Sequence, residues 1–186
     1  MRTETRIITD PGIVAGKTAP PAVAGTIRPK GGSDSDPEIS PRPRRLRLLL
    51  VEDDDLDAEM FRRSLRRRSL PYDLSVVADG GEALEWLRRC SDGEFGDELS
   101  VAPVLIFLDI NMSRMNGHEF LQRLREDERQ RHRVVFVLST SDDEVDVRLA
   151  YARNVAGYLV KNEVGENYQG VMDLIEDYGS FIRLTA

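Results

Sequence analysis

Residues Pro103 to Glu119 read PVLIFLDINMSRMNGHE, an apolar run that ends in one carboxylate, Asp109, and passes at once into Asn, Met, Ser and Gly. The run shows no alternation of apolar and polar residues. That predicts a strand covered on both faces, as in a parallel sheet, and not a half-solvated antiparallel one. A carboxylate at the mouth of such a strand is costly to hold without partners, so the residues around Asp109 decide what the chain can do.

Outward from this strand the pattern alternates. LRLLLV (46–51) is a short apolar run, and Leu56, Met60, Phe61 and Leu65 then recur at helical spacing. DLSVVA (73–78) is a second strand, and Ala83, Leu84 and Leu87 mark a second helix. Beyond Asp109, Phe120, Leu121 and Leu124 set a third helix, VVFVLS (134–139) a fourth strand, and Val145, Leu149, Ala150 and Ala152 a fourth helix. AGYLV (156–160) is a fifth strand, and Tyr168, Val171, Met172, Leu174, Ile175, Tyr178 and Ile182 stripe a long last helix. Five strands alternating with five helices predict an α/β domain, a doubly wound five-stranded parallel sheet with helices on both faces and right-handed crossovers. In such sheets ligands bind beyond the carboxyl ends of the strands.

Those ends carry Glu52 to Asp55 after the first strand, Asp109 after the third, Ser139 and Thr140 after the fourth, and Lys161 after the fifth. Carboxylates gathered at one edge repel, by about 4 kcal/mol for a pair ~4 Å apart at an effective dielectric near 20. Something positive must therefore sit among them. A divalent cation that prefers oxygen, Mg²⁺ in particular, fits such a set and leaves room for phosphate oxygens. Asp109 is then the natural nucleophile toward phosphorus, Lys161 a point charge for a phosphate oxygen, and Ser139 a hydroxyl donor. Lys161 is the only lysine in residues 44 to 186. Asp54 and Asp55 read chiefly as the cap and first turn of the following helix, which leaves Glu52 and Asp53 to a metal.

Residues 1 to 43 hold seven of the nine prolines and no aromatic residue, and are expected to form a disordered tail ahead of one domain over residues 44 to 186. The formal charge of -7 speaks against a nucleic-acid surface, and the five arginines between Arg62 and Arg68 read as a solvated helix face. A single cysteine, Cys90, cannot pair within the chain and suits a reducing compartment. No apolar run reaches the ~18 residues of a membrane span, so the protein is expected in the cytoplasm.

In order and spacing, LLLVEDD, LIFLDINM, NGHEF, VVFVLSTS and GYLVK resemble the receiver domain of two-component response regulators over residues 45 to 183, with 30 positions from Asp109 to Ser139 and 22 from there to Lys161. The resemblance implies that Asp109 is the phosphoacceptor and that a sensor histidine kinase supplies the phosphoryl group. It implies that Glu52, Asp53, Asp109 and the backbone carbonyl of Asn111 hold Mg²⁺. Ser139 matches the switch hydroxyl, Tyr158 the aromatic that follows it inward, and Lys161 the lysine that meets the phosphoryl group. The chain is expected to be a phosphoprotein and not an enzyme that turns over an external substrate.

Two departures bear on nearby loops. Asn162 follows Lys161 where the family commonly has a proline in a cis peptide bond, so a trans bond and an altered loop are expected here. Ser113 stands where proline is common after the phosphoacceptor. The missing proline, VLSTS and the aromatic-tipped last helix look similar to the single-domain regulators that partner bacterial phytochrome kinases. The sequence stops just after that helix, which predicts no direct DNA binding. Tyr168, Tyr178, Phe181 and Ile182 suggest a homodimer through the last helix. A phosphorylation-independent adaptor is the competing reading. A dehalogenase-like phosphatase would need a second Asp two residues after the nucleophile, and Asn111 stands there.

Overall fold

The computed structural model describes residues 46–68, 72–95 and 103–181. The expected tail at 1–43 and the start of the domain at residues 44 and 45 lie outside the described residues. Strand β1 (Leu46–Val51) leads to helix α1 (Asp55–Arg67), β2 (Tyr72–Val77) to α2 (Gly80–Ser91), and β3 (Val104–Leu108) to α3 (Gly117–Glu126). Strand β4 (Val134–Ser139) leads to α4 (Glu144–Tyr151), and β5 (Gly157–Val160) through a 3-10 turn (Glu166–Tyr168) to α5 (Gln169–Phe181). All strand pairs are parallel and the sheet order is β2-β1-β3-β4-β5. The order reverses between β1 and β3, which puts the crevice beyond those two strands.

Every residue of β1 and β3 is buried, as apolar runs broken only by Arg47 lead one to expect, and Arg47 itself is buried. One face packs Leu48, Leu50, Leu105 and Phe107 against Ala58, Phe61 and Leu65 of α1 and Val171, Met172 and Ile175 of α5. The other packs Leu49, Val51, Ile106 and Leu108 against α2, α3 and Ala150 of α4. Under β3 the Phe107 ring lies 5.4 Å from Phe61 and 5.9 Å from Phe136, and Tyr168 extends the stack from Phe61 at 5.8 Å. Fully burying one such side chain contributes about 1.5–3 kcal/mol. Asp109, two residues beyond Phe107, thus follows a strand packed on both faces.

The helices start where short polar residues cap them. Asp54 accepts from the amides of Leu56 and Asp57, Asp79 from those of Gly81 and Glu82, and Asp143 from that of Val145. Asn116 and Glu119 form a reciprocal capping box at α3. Asp54 therefore has the capping role its sequence position predicts. Arg68 clamps α1 to α5 through Asp173 and Glu176.

Some apolar positions depart from the sequence reading. Leu56 and Met60 on α1, and Val145 and Leu149 on α4, are exposed. Helical spacing groups these residues on a face, but that face turns away from the sheet. The last helix begins only at Gln169, because Asn167 and Tyr168 take left-handed backbone angles (φ 54° and 55°) that a right-handed α-helix does not accommodate. Tyr168 nevertheless buries its ring in the core, and Tyr178 packs edge-on to Phe136 at 5.1 Å. Both tyrosines are thus used within the subunit; the Phe181 side chain and Ile182 lie outside the described residues. No cis peptide occurs among the described residues, so Lys161–Asn162 is trans as its sequence predicts.

Candidate functional site

Sheet register brings the strand ends together. The Glu52 amide donates to Val77 carbonyl, the Asp109 amide to Val51 carbonyl, and the Lys161 amide to Ser139 carbonyl, all within 2.8–3.0 Å. Side chains at the carboxyl ends of β1, β3, β4 and β5 thus meet at one edge of the sheet. Asp109 is 6% exposed. Its Oδ1 accepts from the Ser139 hydroxyl at 2.7 Å and the Asn111 amide at 3.1 Å. Its Oδ2 accepts from Lys161 Nζ at 3.0 Å.

Lys161 is the positive group that the crowded carboxylates require. Its Nζ also donates to Glu52 Oε2 and to Asp57 Oδ2, each at 2.7 Å. Burial alone would depress the ammonium, but the hydrogen bonds it donates to Asp57 and Glu52 and the charge of Asp109 outweigh it and hold Lys161 above its ordinary value. Glu52 goes the other way: burial pushes its carboxyl up to about 7, against the opposing pull of Lys161. Three carboxylates around one ammonium leave two negative charges uncompensated when all are ionised, a setting that attracts a divalent cation.

Asp53 stands apart from this cluster. It is exposed, and its Oδ2 accepts from the Ser113 amide at 2.9 Å, which ties the β1–α1 loop to the loop after β3. Among the described residues no three acidic, histidine or cysteine side chains are close enough to hold a metal by themselves. Glu52 and Asp109, which do meet here, and Asp53 at the adjoining loop offer only carboxylate oxygens, the chemistry Mg²⁺ takes together with water.

The α3 side of the crevice depends on one glycine. A Cβ at Gly117 would lie 2.5 Å from the Asp109 carbonyl oxygen and 2.7 Å from Ile110 Cα. Only glycine lets α3 start against the loop that carries Asp109. This is the physical content of the NGHE motif.

Tyr158 is fully buried, and its hydroxyl donates to the Ser141 carbonyl at 3.0 Å. Burial pushes the phenol up to about 12. Ser141 continues outward: its hydroxyl donates to Asp146, whose other oxygen meets His118 Nε2 at 3.0 Å. A run of polar contacts therefore links the strand-end crevice to the α3–α4 surface.

Asp57 is the site residue that the sequence reading missed. Within an acidic run before a helix it looks like one more first-turn carboxylate. The available signal was its place three residues after the Asp54 cap, which turns it back over the strand end.

A family model described as the response regulator receiver domain matches residues 48–169. The chain belongs to that family. This receiver is 33% identical over 131 residues to the probable methanogenesis regulatory protein FilR2 of Methanothrix harundinacea (strain 6Ac), covering 70% of this chain and 81% of that protein. It is 31% identical over 134 residues to response regulator Rcp1 of Synechocystis sp. (strain ATCC 27184 / PCC 6803 / Kazusa), covering 72% and 86%. The Mn²⁺-bound form of Rcp1 matches the receiver with a TM-score of 0.61 at 27% identity, over 75% of this chain and 99% of that one. RPA3017, a response regulator in red light signaling of R. palustris, matches with a TM-score of 0.62 at 29% identity, over 75% and 97%. Receiver domains typically bind Mg²⁺ and interact with histidine kinases, and they are generally not turnover enzymes. No helix among the described residues is long and apolar enough to cross a membrane.

Proposed function

We propose that this receiver takes a phosphoryl group from the phosphohistidine of a sensor kinase onto Asp109 and signals through protein contacts that change on phosphorylation. The observation that carries the reading is the double hold on one carboxylate, Ser139 at Oδ1 and Lys161 at Oδ2. In the transfer an Asp109 oxygen bonds to phosphorus as the phosphorus–nitrogen bond breaks, and its electron pair leaves with the imidazole. The ammonium of Lys161 and the Ser139 hydroxyl are within reach to meet oxygens of the new acyl phosphate. Glu52, Asp53, Asp109 and the Asn111 carbonyl would hold Mg²⁺. Bound there, the ion supplies charge screening for the phosphoryl group.

A phosphoryl group adds about two negative charges and strong acceptors. Ser139 and Lys161 are drawn to it, and Tyr158 is held behind Ser139 through Ser141. The surface that reports this change is α4, with exposed Val145 and Leu149. The likeness to the response regulator in red light signaling of R. palustris favours a bacterial phytochrome as the kinase.

Acetyl phosphate with Mg²⁺ is expected to give a retarded band on a phosphate-affinity gel, lost in Asp109→Asn and on adding a chelator. A wild-type chain that stays unretarded while it is folded by circular dichroism refutes the proposal.

A further inference from the structure

Lys161 has three ammonium hydrogens, and three carboxylates take them: Glu52, Asp57 and Asp109. No donor is left over. The donor now on Asp109 can pass to a phosphoryl oxygen that arrives there, but Lys161 can close on the new group with a second donor only if Glu52 or Asp57 lets go. The Glu52 side chain is 2% exposed, so losing Lys161 would leave its carboxylate buried with no counter-charge but the Mg²⁺ it would share with Asp53, Asp109 and the phosphoryl group. The Asp57 side chain is 27% exposed and lines a cleft of about 140 Å³ with Met60, Thr140, Asn162 and Tyr168. Released, it meets water.

We infer that Asp57 is a positioning residue for phosphotransfer, the carboxylate that holds Lys161 before the phosphoryl group arrives and gives it up afterwards. This rests on Asp109 being the phosphoacceptor. The strength of the Lys161–Asp57 contact opposes the phosphorylated state, because any interaction made only before transfer raises the cost of reaching it. The Asp57→Asn variant is therefore expected to take the phosphoryl group more readily, not less.

The test uses the full chain labelled with ¹⁵N-lysine. Only Lys17, Lys30 and Lys161 contribute signals, and Lys161→Met identifies the third. In wild type the Lys161 ammonium signal should shift when Mg²⁺ and beryllofluoride are added. In Asp57→Asn, without either, it should already lie toward the beryllofluoride position. Beryllofluoride should bind that variant about fivefold more tightly, as for loss of one partly exposed ion pair, and Asp57→Glu should restore the wild-type signal. Asp57→Ser is the second variant, with the same expectation, should the amide disturb the first turn of α1. An unmoved ammonium signal, or equal or weaker beryllofluoride binding in both variants, overturns the inference while leaving the phosphoacceptor reading intact. A wild-type chain that takes neither beryllofluoride nor acetyl phosphate refutes both.

Discussion

Ser139 Oγ donates to Asp109 Oδ1 at 2.7 Å, joining the ends of β3 and β4 across the sheet edge. Ser139 is fully buried, so Ala at this position removes a donor that water cannot replace without opening the core. Ser139→Ala is expected to fold, to lose about 1–2 kcal/mol in urea unfolding, and to label with acetyl phosphate about tenfold more slowly. The ratio of initial labelling rates measures this. An unchanged rate would mean that the hydroxyl does not meet the transferred group.

Lys161→Met exposes the carboxylates to one another. Removing one partner of a buried ion pair costs about 3–5 kcal/mol near neutral pH. The pH dependence fixes the cause. Glu52 is raised from its ordinary 4.5 to about 7 in the fold, mainly by burial. A carboxyl raised on folding holds a proton that the unfolded chain releases, so its contribution to stability falls as pH rises from about 5 to 7. Without the lysine that pull is gone, Glu52 rises further, and the decline should extend above pH 7. Urea melts of both chains in chelator at pH 5, 6, 7 and 8 should therefore diverge with rising pH. A gap that is constant across that range would show that Lys161 stabilises by packing and not by charge.

Much of this was legible in the residue order. Runs such as LRLLLV and VLIFL have one stable home, the middle of a parallel sheet, and the topology then forces Glu52, Asp109, Ser139 and Lys161 to one edge. That edge needs a cation, and the chain offers a single lysine in the right place. Asp57 was hidden because helix starts are rich in acids for reasons of capping and dipole, so composition gave it no mark of its own. Leu56, Met60, Val145 and Leu149 misled because periodicity shows that apolar residues share a face but not that the face is covered. Tyr168 misled for another reason: its ring belongs to the core while its backbone is left-handed, and apolar spacing reports only the ring.

Asp79 caps α2 from a nearly buried position. The Glu82 amide, the Gly81 amide and Arg114 hold its carboxyl below the usual range against the opposing effect of burial. A depressed carboxyl contributes stability that is present above its unfolded value and lost as pH falls through the folded one. Asp79→Asn keeps the cap but loses the charge, so its stability should change less than wild type between pH 5 and pH 2. Asp79→Ala loses the cap as well and should cost about 1–2 kcal/mol at pH 7. Parallel acid-unfolding slopes for wild type and Asp79→Asn would contradict this.

Gly117 tests whether the loop after β3 must sit where it does for chemistry. In an open helix, Gly→Ala stabilises by about 1 kcal/mol through lower backbone entropy. Here the added methyl carbon meets the Asp109 carbonyl oxygen at 2.5 Å and Ile110 Cα at 2.7 Å, both backbone and both tied to β3. Neither can step aside without moving Asp109. Gly117→Ala is expected to destabilise by about 1–3 kcal/mol and to slow acetyl phosphate labelling at saturating Mg²⁺, although it removes no group that touches the phosphoryl. If the variant is stabilised and labels at the wild-type rate, α3 packs against the loop with slack that these distances do not allow.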